Sequence, residues 1–260
     1  MTGAAIGQNG RMDDLEELGR HVGPRGEVVL RRRTTSVGDP VEELIVNGAF
    51  AMDSAETETE RRLGALARQG RGGRILVGGL GLGYTAAEIL TGPSTSSGSG
   101  PTSSGSGPTG SGDVERVDVV EIEEVLIDWA YAGLTPTLAA VAGDPLVRLH
   151  AGDIRQVLTS AQPPSGPWDA IVLDVDNGPE FLIHAGNDAL YAESTLRAAY
   201  GQLAPGGSMA IWCEGVTPDL LATLDRIGPD PREHRYPVRR GERRFTYAIY
   251  ELIRPVTEPH

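Results

Sequence analysis

Runs of apolar and polar residues give the first part of the chain the pattern of β-structure. The segments Glu27–Thr35 and Val41–Met52 are rich in valine, isoleucine, leucine and threonine, and Asn47 and Gly48 interrupt the second of them. An Asn-Gly pair between apolar residues is a strong short-range signal for a β-hairpin. The pattern predicts a small N-terminal β-element over residues 26–53, with two to four strands.

The residues before this element, 1–25, have no sustained apolar pattern. They predict a loosely ordered leader, with one or two helical turns around Met12–Arg20. The leader is acidic and has no apolar core, which excludes a signal peptide. No run in the chain approaches the roughly 20 apolar residues of a membrane span. We therefore expect a cytoplasmic protein that does not bind membranes.

From Ser54 to residue 254 the pattern changes to short apolar runs that alternate with helical periodicity. The first predicted helix covers Ser54–Arg68, with Ser54 as its cap and acids in its first turns. Alternating strands and helices favour right-handed crossovers and a mostly parallel sheet covered on both faces, which is a Rossmann-like α/β fold. The further predicted strands are Arg74–Gly78, Val117–Glu121, Leu146–His150, Asp169–Val175, Gly207–Cys213 and Arg244–Leu252. The further predicted helices are Tyr84–Leu90, Glu123–Ala132, Ile154–Ala161, Asp188–Leu203 and Pro218–Ile227.

A tract of serine, glycine, proline and threonine, Gly92–Gly112, separates the first of these helices from the next strand. It contains no apolar residue and cannot bury a core, so it predicts a disordered insert. In a parallel sheet this connection lies at the edge opposite the strand ends that bind ligands. Both a neutral expansion and a docking segment are compatible with it.

Composition narrows the class of partner. The chain has 36 acidic and 23 basic residues and a formal net charge of -13. Nucleic acid binding needs clustered lysine and arginine, so we expect no nucleic acid partner. A single cysteine, Cys213, excludes an internal disulfide, and the scattered histidines show no metal-ligand spacing, so we expect no metal.

The strongest chemical signal is the loop that follows the strand Arg74–Gly78. Main-chain N–H groups can approach a nucleotide-type cofactor at the three glycines of this loop, Gly79, Gly81 and Gly83, and a helix N-terminus follows them. The third glycine of the dinucleotide fingerprint would instead fall at Tyr84. The spacing favours a sulfonium nucleoside over NAD. A tight strand-to-helix turn that binds nothing is the alternative.

Two acids follow the next two predicted strands. Glu121 lies roughly twenty residues beyond the glycine loop once the insert is discounted, where a carboxylate can accept both ribose hydroxyls. The alternative is an ordinary surface glutamate. Asp153 follows the third strand and precedes a helix, so it can accept from an adenine amino group or cap that helix.

The candidate catalytic residues are two acids at the end of a nearly continuous apolar run, Asp174 and Asp176. Burial and like charge both raise a carboxylate pKa, which suits a base that takes a proton from an ammonium group. The alternative is an Asx-turn ahead of Asn177 and Gly178. Tyr191, at the start of the next helix, can contribute a phenol or pack in the core.

In order along the chain, these segments resemble the spermidine synthase family of aminopropyltransferases. The resemblance spans about Leu44 to Glu251, apart from the insert. It implies a class I methyltransferase fold, with a mostly parallel seven-stranded sheet behind a small β-domain. The matching segments are Val77–Gly83, Val120–Glu123, Ala151–Asp153, Asp169–Asp174, Leu190–Tyr191 and Leu203–Ser208.

By this resemblance Glu121 binds ribose, Asp153 binds adenine, and Asp174 deprotonates the attacking amine. The implied cofactor is decarboxylated S-adenosylmethionine or S-adenosylmethionine, the partner is a small-molecule amine acceptor, and the assembly is a homodimer. The chain departs from the family in the acceptor pocket. The Tyr-His pair that opens the family's first helix is absent from 55–62, and the second acid of the family's Asp-x-x-Asp loop stands one position earlier.

These observations favour a transferase that moves an aminopropyl or other alkyl group to an amine. A methyltransferase acting on a small molecule on the same scaffold is the first alternative. A protein that has kept the nucleoside site without catalysis is the second, and the missing Tyr-His pair favours it.

Overall fold

Two sheets organise the chain in its computed structural model, which describes residues 5–6, 12–34, 38–70, 73–91, 113–160, 164–175, 187–240 and 243–256. The predicted insert, 92–112, lies outside the described residues. The N-terminal sheet has five strands in sequential order, and its neighbouring strands are antiparallel. These strands are β1 (Ala5–Ile6), β2 (Met12–Gly23), β3 (Gly26–Thr34), β4 (Val41–Val46) and β5 (Ala49–Asp53).

The predicted hairpin is confirmed. Asn47 and Gly48 connect β4 to β5, and both have positive φ, 53° and 76°. Positive φ at both central residues is what a type I′ turn requires, and that turn matches the twist of the flanking strands.

The prediction of helical turns in a loose leader is wrong for Met12–Gly23, which forms the long strand β2. Two of its acids lie opposite arginines of β3, with Glu16 facing Arg32 and Glu17 facing Arg31, and Glu16 forms an ion pair with Arg32 at 3.4 Å. Opposite charges across a strand pair favour the pairing. Part of the signal for this strand therefore lies in a later segment, and an apolar pattern within the strand does not reveal it.

The second sheet has seven strands in the order β11-β12-β10-β9-β6-β7-β8. The five strands from β10 to β8 are parallel, and β11 and β12 add an antiparallel end. The predicted fold class, a mostly parallel seven-stranded Rossmann-like sheet behind a small β-element, is confirmed. The strands are β6 (Gly73–Gly78), β7 (Val114–Glu121), β8 (Val147–Ala151), β9 (Trp168–Leu173), β10 (Leu203–Cys213), β11 (Arg232–Arg240) and β12 (Arg243–Ile253). The helices are α1 (Glu58–Gly70), α2 (Tyr84–Thr91), α3 (Glu124–Ala132), α4 (Pro136–Gly143), α5 (Ile154–Thr159), α6 (Glu193–Gly201) and α7 (Pro218–Asp225), and a short 3-10 helix covers Asn187–Leu190.

Two of these elements, α4 and β11, were not expected from the apolar pattern. The signal for α4 was local: Thr135 caps it by accepting from the Leu138 N–H at 3.2 Å, ahead of a proline in the first turn. Strand β11 is rich in arginine and lies at the edge of the sheet, where charged residues are common and apolar alternation is weak. Ser54 does not cap α1, which begins at Glu58; its hydroxyl accepts from the Glu42 N–H instead.

The core lies on both faces of the large sheet, as predicted. Successive residues of β6 alternate, so that Ile75 and Val77 join one apolar cluster and Leu76 joins the other. The first cluster also contains Val28 and Leu44 of the N-terminal sheet, so that sheet packs against the same face as α1. Burial on both faces explains the nearly continuous apolar runs of the central strands.

Across the described ranges, no single helix is long and apolar enough to cross a membrane, although the bent pair α3 and α4 meets that test jointly on length and composition.

Candidate active site

A cleft opens where the carboxyl ends of β6, β7, β8, β9 and β10 meet the N-terminal sheet and α1. It encloses about 950 Å³ free of protein atoms, including open solvent at its mouth. Ligands of open α/β sheets bind at this edge. The structure brings Gly79, Gly81, Glu121, Asp153 and Asp174 of the predicted site to its wall.

The glycine loop forms one wall of this cleft. Gly79 has a φ of 92°, and a Cβ on it would lie 2.1 Å from the carbonyl oxygen of Asp174. The Gly79 N–H donates to the Val120 carbonyl at 2.9 Å, and the Asp174 N–H donates to the Gly78 carbonyl at 2.8 Å. Three strand ends therefore meet at a point where only glycine fits.

The middle of the loop contacts the N-terminal sheet. Met52 of β5 places its Sδ atom 3.3 Å from the Leu82 nitrogen, which donates to it, and 2.7 Å from where a Cβ on Gly81 would lie. Gly83 ends the turn outside the cleft wall, and its carbonyl accepts from Ala87 in the first turn of α2. Met52 was not predicted as a site residue, because its partner is 30 positions away.

Glu121 holds the loop from the end of β7. Its Oε2 accepts from the Leu80 N–H at 2.7 Å, and its Oε1 accepts from the Glu123 N–H at 2.8 Å. The residue is only 6% exposed, which rules out an ordinary surface glutamate. Burial raises the pKa of Glu121, and the charge of Glu123 adds to the effect.

Asp153 is the N-cap of α5. Its Oδ1 accepts from the Arg155 N–H at 2.8 Å, and its Oδ2 lies 3.6 Å from the Arg155 Nε. Of the two predicted roles, the structure therefore shows the helix cap. The side chain also borders the cleft, so the adenine contact stays a prediction.

Asp174 leaves the end of β9 and faces the cleft beside the glycine loop. Its Oδ2 accepts from the Thr85 hydroxyl at 2.6 Å. Burial raises the pKa of Asp174 to about 6; the Thr85 hydrogen bond opposes this rise, and the nearby charge of Glu121 adds to it. A carboxyl with this pKa is ionised at neutral pH and can still take up a proton from an ammonium group.

Tyr191 is buried beside Val175, the residue that follows Asp174. Its hydroxyl donates to the Val175 carbonyl at 2.8 Å, and its side chain is 8% exposed. The phenol therefore fixes the chain next to Asp174. Asp176, together with Asn177 and Gly178 of the alternative turn, lies outside the described residues.

The cleft wall also includes polar and aromatic residues that were not predicted as site residues, among them Glu60 of α1, Glu123 and Trp212 of β10. Trp212 is 8% exposed and packs edge-on against Tyr247. Its neighbour Cys213 is fully buried in the core.

The described ionisable side chains that line the cleft are acidic. Its described lining contains five carboxylates and no lysine, arginine or histidine; the acids are Glu60, Glu121, Glu123, Asp153 and Asp174. Arg25 reaches Glu123 from the β2–β3 turn at 3.0 Å, with its side chain 44% exposed. A site of this kind favours a cationic ligand. Within the described ranges, no group of three or more histidine, cysteine, aspartate or glutamate residues is arranged to hold a metal ion.

Sequence comparison finds relatives among plant enzymes, and no family model matches the chain. Putrescine N-methyltransferase 1 of Nicotiana tabacum is 29% identical over 143 residues, which cover 55% of this chain and 31% of that enzyme. Putrescine N-methyltransferase 1 of Nicotiana attenuata is also 29% identical, with 30% of its length covered. The matched segment thus spans about a third of the curated relatives.

Structure comparison gives a longer match. The spermidine synthase of Thermotoga maritima has a TM-score of 0.67 at 14% identity, over 96% of this chain and 77% of that protein. A spermidine synthase in complex with the transition state analogue AdoDATO gives 0.66 at 14% identity, over 96% and 78%. A probable spermidine synthase from Corynebacterium glutamicum gives 0.58 at 17% identity, over 90% and 78%. The family resemblance predicted from the motifs is therefore confirmed for the fold.

Proposed function

We propose that this chain, which folds as a spermidine synthase-like protein of the S-adenosylmethionine-dependent methyltransferase superfamily, transfers an alkyl group from a sulfonium donor to a small-molecule amine. The donor that the cleft favours is decarboxylated S-adenosylmethionine, which gives aminopropyl transfer. One observation carries the proposal: Asp174, with a pKa of about 6, faces a cleft whose described lining is acidic and contains no basic side chain.

The adenosyl part of the donor has partners on the glycine-loop side of the cleft. An ionised carboxylate has about four acceptor positions. The N–H groups of Leu80, Gly81 and Glu123 interact with Glu121 and use three of those positions, which leaves acceptor capacity for a ribose hydroxyl. Asp153 keeps acceptor capacity beyond its cap and can meet an adenine amino group.

Charge favours the decarboxylated donor. S-adenosylmethionine carries on its aminopropyl arm a carboxylate that the decarboxylated donor lacks, and the ionisable side chains of the described lining are carboxylates, which repel it. Two like charges about 8 Å apart repel each other by about 2 kcal/mol at an effective dielectric of about 20. We expect the decarboxylated donor to bind at least about tenfold more tightly than S-adenosylmethionine.

Isothermal titration calorimetry measures this difference, with methylthioadenosine, which lacks both the arm and the charge, as the reference ligand. Equal affinities for the two donors would contradict the preference, while leaving nucleoside binding in place.

The reaction needs little from the protein beyond alignment and removal of a proton. The ammonium group of the acceptor first gives a proton to the Asp174 carboxylate, which leaves a neutral amine. The amine nitrogen then attacks the carbon next to sulfur, the C–N bond forms, the C–S bond breaks, and its electron pair stays on the thioether. Asp174 afterwards releases its proton to solvent. Placing both reactants in one cleft supplies the rest of the rate enhancement.

The raised pKa of Asp174 predicts an acid limit to the reaction. Because a protonated Asp174 cannot accept a proton, turnover at saturating acceptor should fall about tenfold per pH unit below about pH 6. A pH profile between 4.5 and 9 measures it. Constant turnover down to about pH 5 would show that this group does not take the proton.

A screen of both donors against mono-, di- and polyamines, with products identified by mass spectrometry, tests the proposal as a whole. Aminopropylated product supports the leading form, and methylated product supports the second candidate, which the likeness to putrescine N-methyltransferases favours. Tight binding of methylthioadenosine without any product would show a nucleoside-binding protein instead. A homodimer, which light scattering would detect, is also part of the proposal.

A further inference from the structure

The hydroxyl of Thr85 lies between two acceptors. It is in the first turn of α2 and is 3% exposed. Its Oγ1 is 2.6 Å from the Oδ2 of Asp174 and 3.2 Å from the main-chain carbonyl of Glu60. The hydroxyl has one proton, so it donates to one of these acceptors at a time.

This arrangement accommodates both states of Asp174. When the carboxylate is ionised, Thr85 donates to it. When Oδ2 carries a proton, that proton is donated to the Thr85 oxygen, and the hydroxyl turns its own proton to the Glu60 carbonyl. The Asp174 Oδ2 and the Thr85 hydroxyl therefore stay hydrogen-bonded to each other in either state, and an unsatisfied buried polar group at Asp174, which costs about 1–3 kcal/mol, is avoided.

We infer that Thr85 is a positioning residue, which holds the carboxyl of Asp174 in one orientation before and after it takes up a proton. The inference rests on the proposed function, in which Asp174 is the base. It gives a role to Thr85 in the first turn of α2, a residue that the glycine-loop motif does not include.

The other groups around Asp174 cannot do this. The described ionisable side chains that share its cleft are Glu121 at the end of β7, Glu123 beyond it, Asp153 before α5 and Glu60 of α1. All four are carboxylates, and the charge of Glu121 works against ionisation of Asp174. The Thr85 hydroxyl favours the ionised form, and burial opposes it.

A matched pair of variants tests the inference. Thr85→Val keeps the shape and removes the hydroxyl, whereas Thr85→Ser keeps the hydroxyl. A hydrogen bond to a charged group is strong enough that its loss raises the pKa of a carboxyl group by about one pH unit. We expect a rise of about that size for Asp174 in Thr85→Val and a value near the wild type in Thr85→Ser.

The measurement is a carbon-13 NMR titration of the aspartate carboxyls in the ligand-free protein, with Asp174→Asn identifying the resonance. It needs neither substrate nor turnover, so its outcome is independent of whether the proposed reaction occurs. An unchanged pKa in Thr85→Val overturns the inference. If Thr85→Val does not fold, Thr85→Ala is compared with Thr85→Ser by the same criterion.

In an enzyme preparation that turns over, Thr85→Val and Thr85→Ser also show whether Thr85 positions Asp174 or contributes to donor binding. Thr85→Val should lower kcat about tenfold and move the acid limit of the pH profile upward, with the donor Kd unchanged. A loss of donor affinity with an unmoved acid limit would show a purely structural role.

Discussion

Asp174→Asn should lower turnover by about 10²- to 10⁴-fold while donor binding is retained. The asparagine has the same shape and no charge, so it cannot take the proton that the acceptor's ammonium group must lose before its nitrogen can attack. Single-turnover rates and the Kd of methylthioadenosine, measured on the same preparation, give both numbers. Asp144→Asn is the matched control, since Asp144 accepts from the Leu146 N–H at an exposed position outside the cleft lining.

The melting temperature of Asp174→Asn shows whether the loss of turnover comes from misfolding. The unfolded chain releases the Asp174 proton near its ordinary pKa of 3.8, whereas the folded protein holds the proton until about pH 6. The protonated group therefore favours folding below pH 3.8, and that contribution is lost as the pH rises through 6. At pH 7.5, Asp174→Asn should raise the melting temperature of the ligand-free protein by about 2 to 6 °C, with the difference disappearing toward pH 3.5. Wild-type turnover in this variant would remove Asp174 from the mechanism.

Gly79→Ala should abolish donor binding and destabilise the fold. A φ of 92° strains any residue with a side chain, and the added carbon would meet the Asp174 carbonyl at 2.1 Å. That carbonyl has little freedom to move, because the adjoining Asp174 N–H is bonded to Gly78. Strain and overpacking together cost roughly 3 to 6 kcal/mol.

Gly143→Ala provides the control. Gly143 lies in α4, and a Cβ there would have no heavy atom within 4 Å. It should be neutral or slightly stabilising, because alanine is the better helix former. Thermal unfolding and titration with methylthioadenosine compare the two variants. A Gly79→Ala protein that melts and binds like the wild type would show that the strand ends can separate.

The half of the cleft that the large sheet forms could largely be predicted from the sequence. Its residues follow apolar strands, and the carboxyl ends of parallel strands meet at one edge of the sheet. Apolar runs located the parallel strands, and acids at their carboxyl ends had to meet at one edge. Glu121 and Asp174 were found in this way. Asp153 illustrates the limit: the same position suits a helix cap and a ligand contact, and only the hydrogen bond to Arg155 shows the cap.

The contribution of the N-terminal sheet and of α1 could not be predicted in the same way. Met52 and Glu60 reach the cleft, and Thr85 reaches Asp174, through packing between segments that are distant in the sequence. Strand β2 was missed for a related reason, since two of its acids, Glu16 and Glu17, face arginines of the next strand. Such partners are visible in a sequence only when both segments are already known to be neighbours.

The contact between Met52 and the glycine loop brings residues of β4, β5 and α1 into the wall of the cleft. The strand ends of the large sheet form one wall of the cleft. The other wall consists of residues from β4, β5 and α1, namely Leu44, Val46, Ala51, Met52 and Glu60. Under the proposed function, the wall formed by the large sheet contacts the adenosyl group and the wall formed by the N-terminal segment contacts the amine, so the two can diverge separately in evolution. Chimeric proteins that exchange residues 1–60 between homologues should then show a new amine preference.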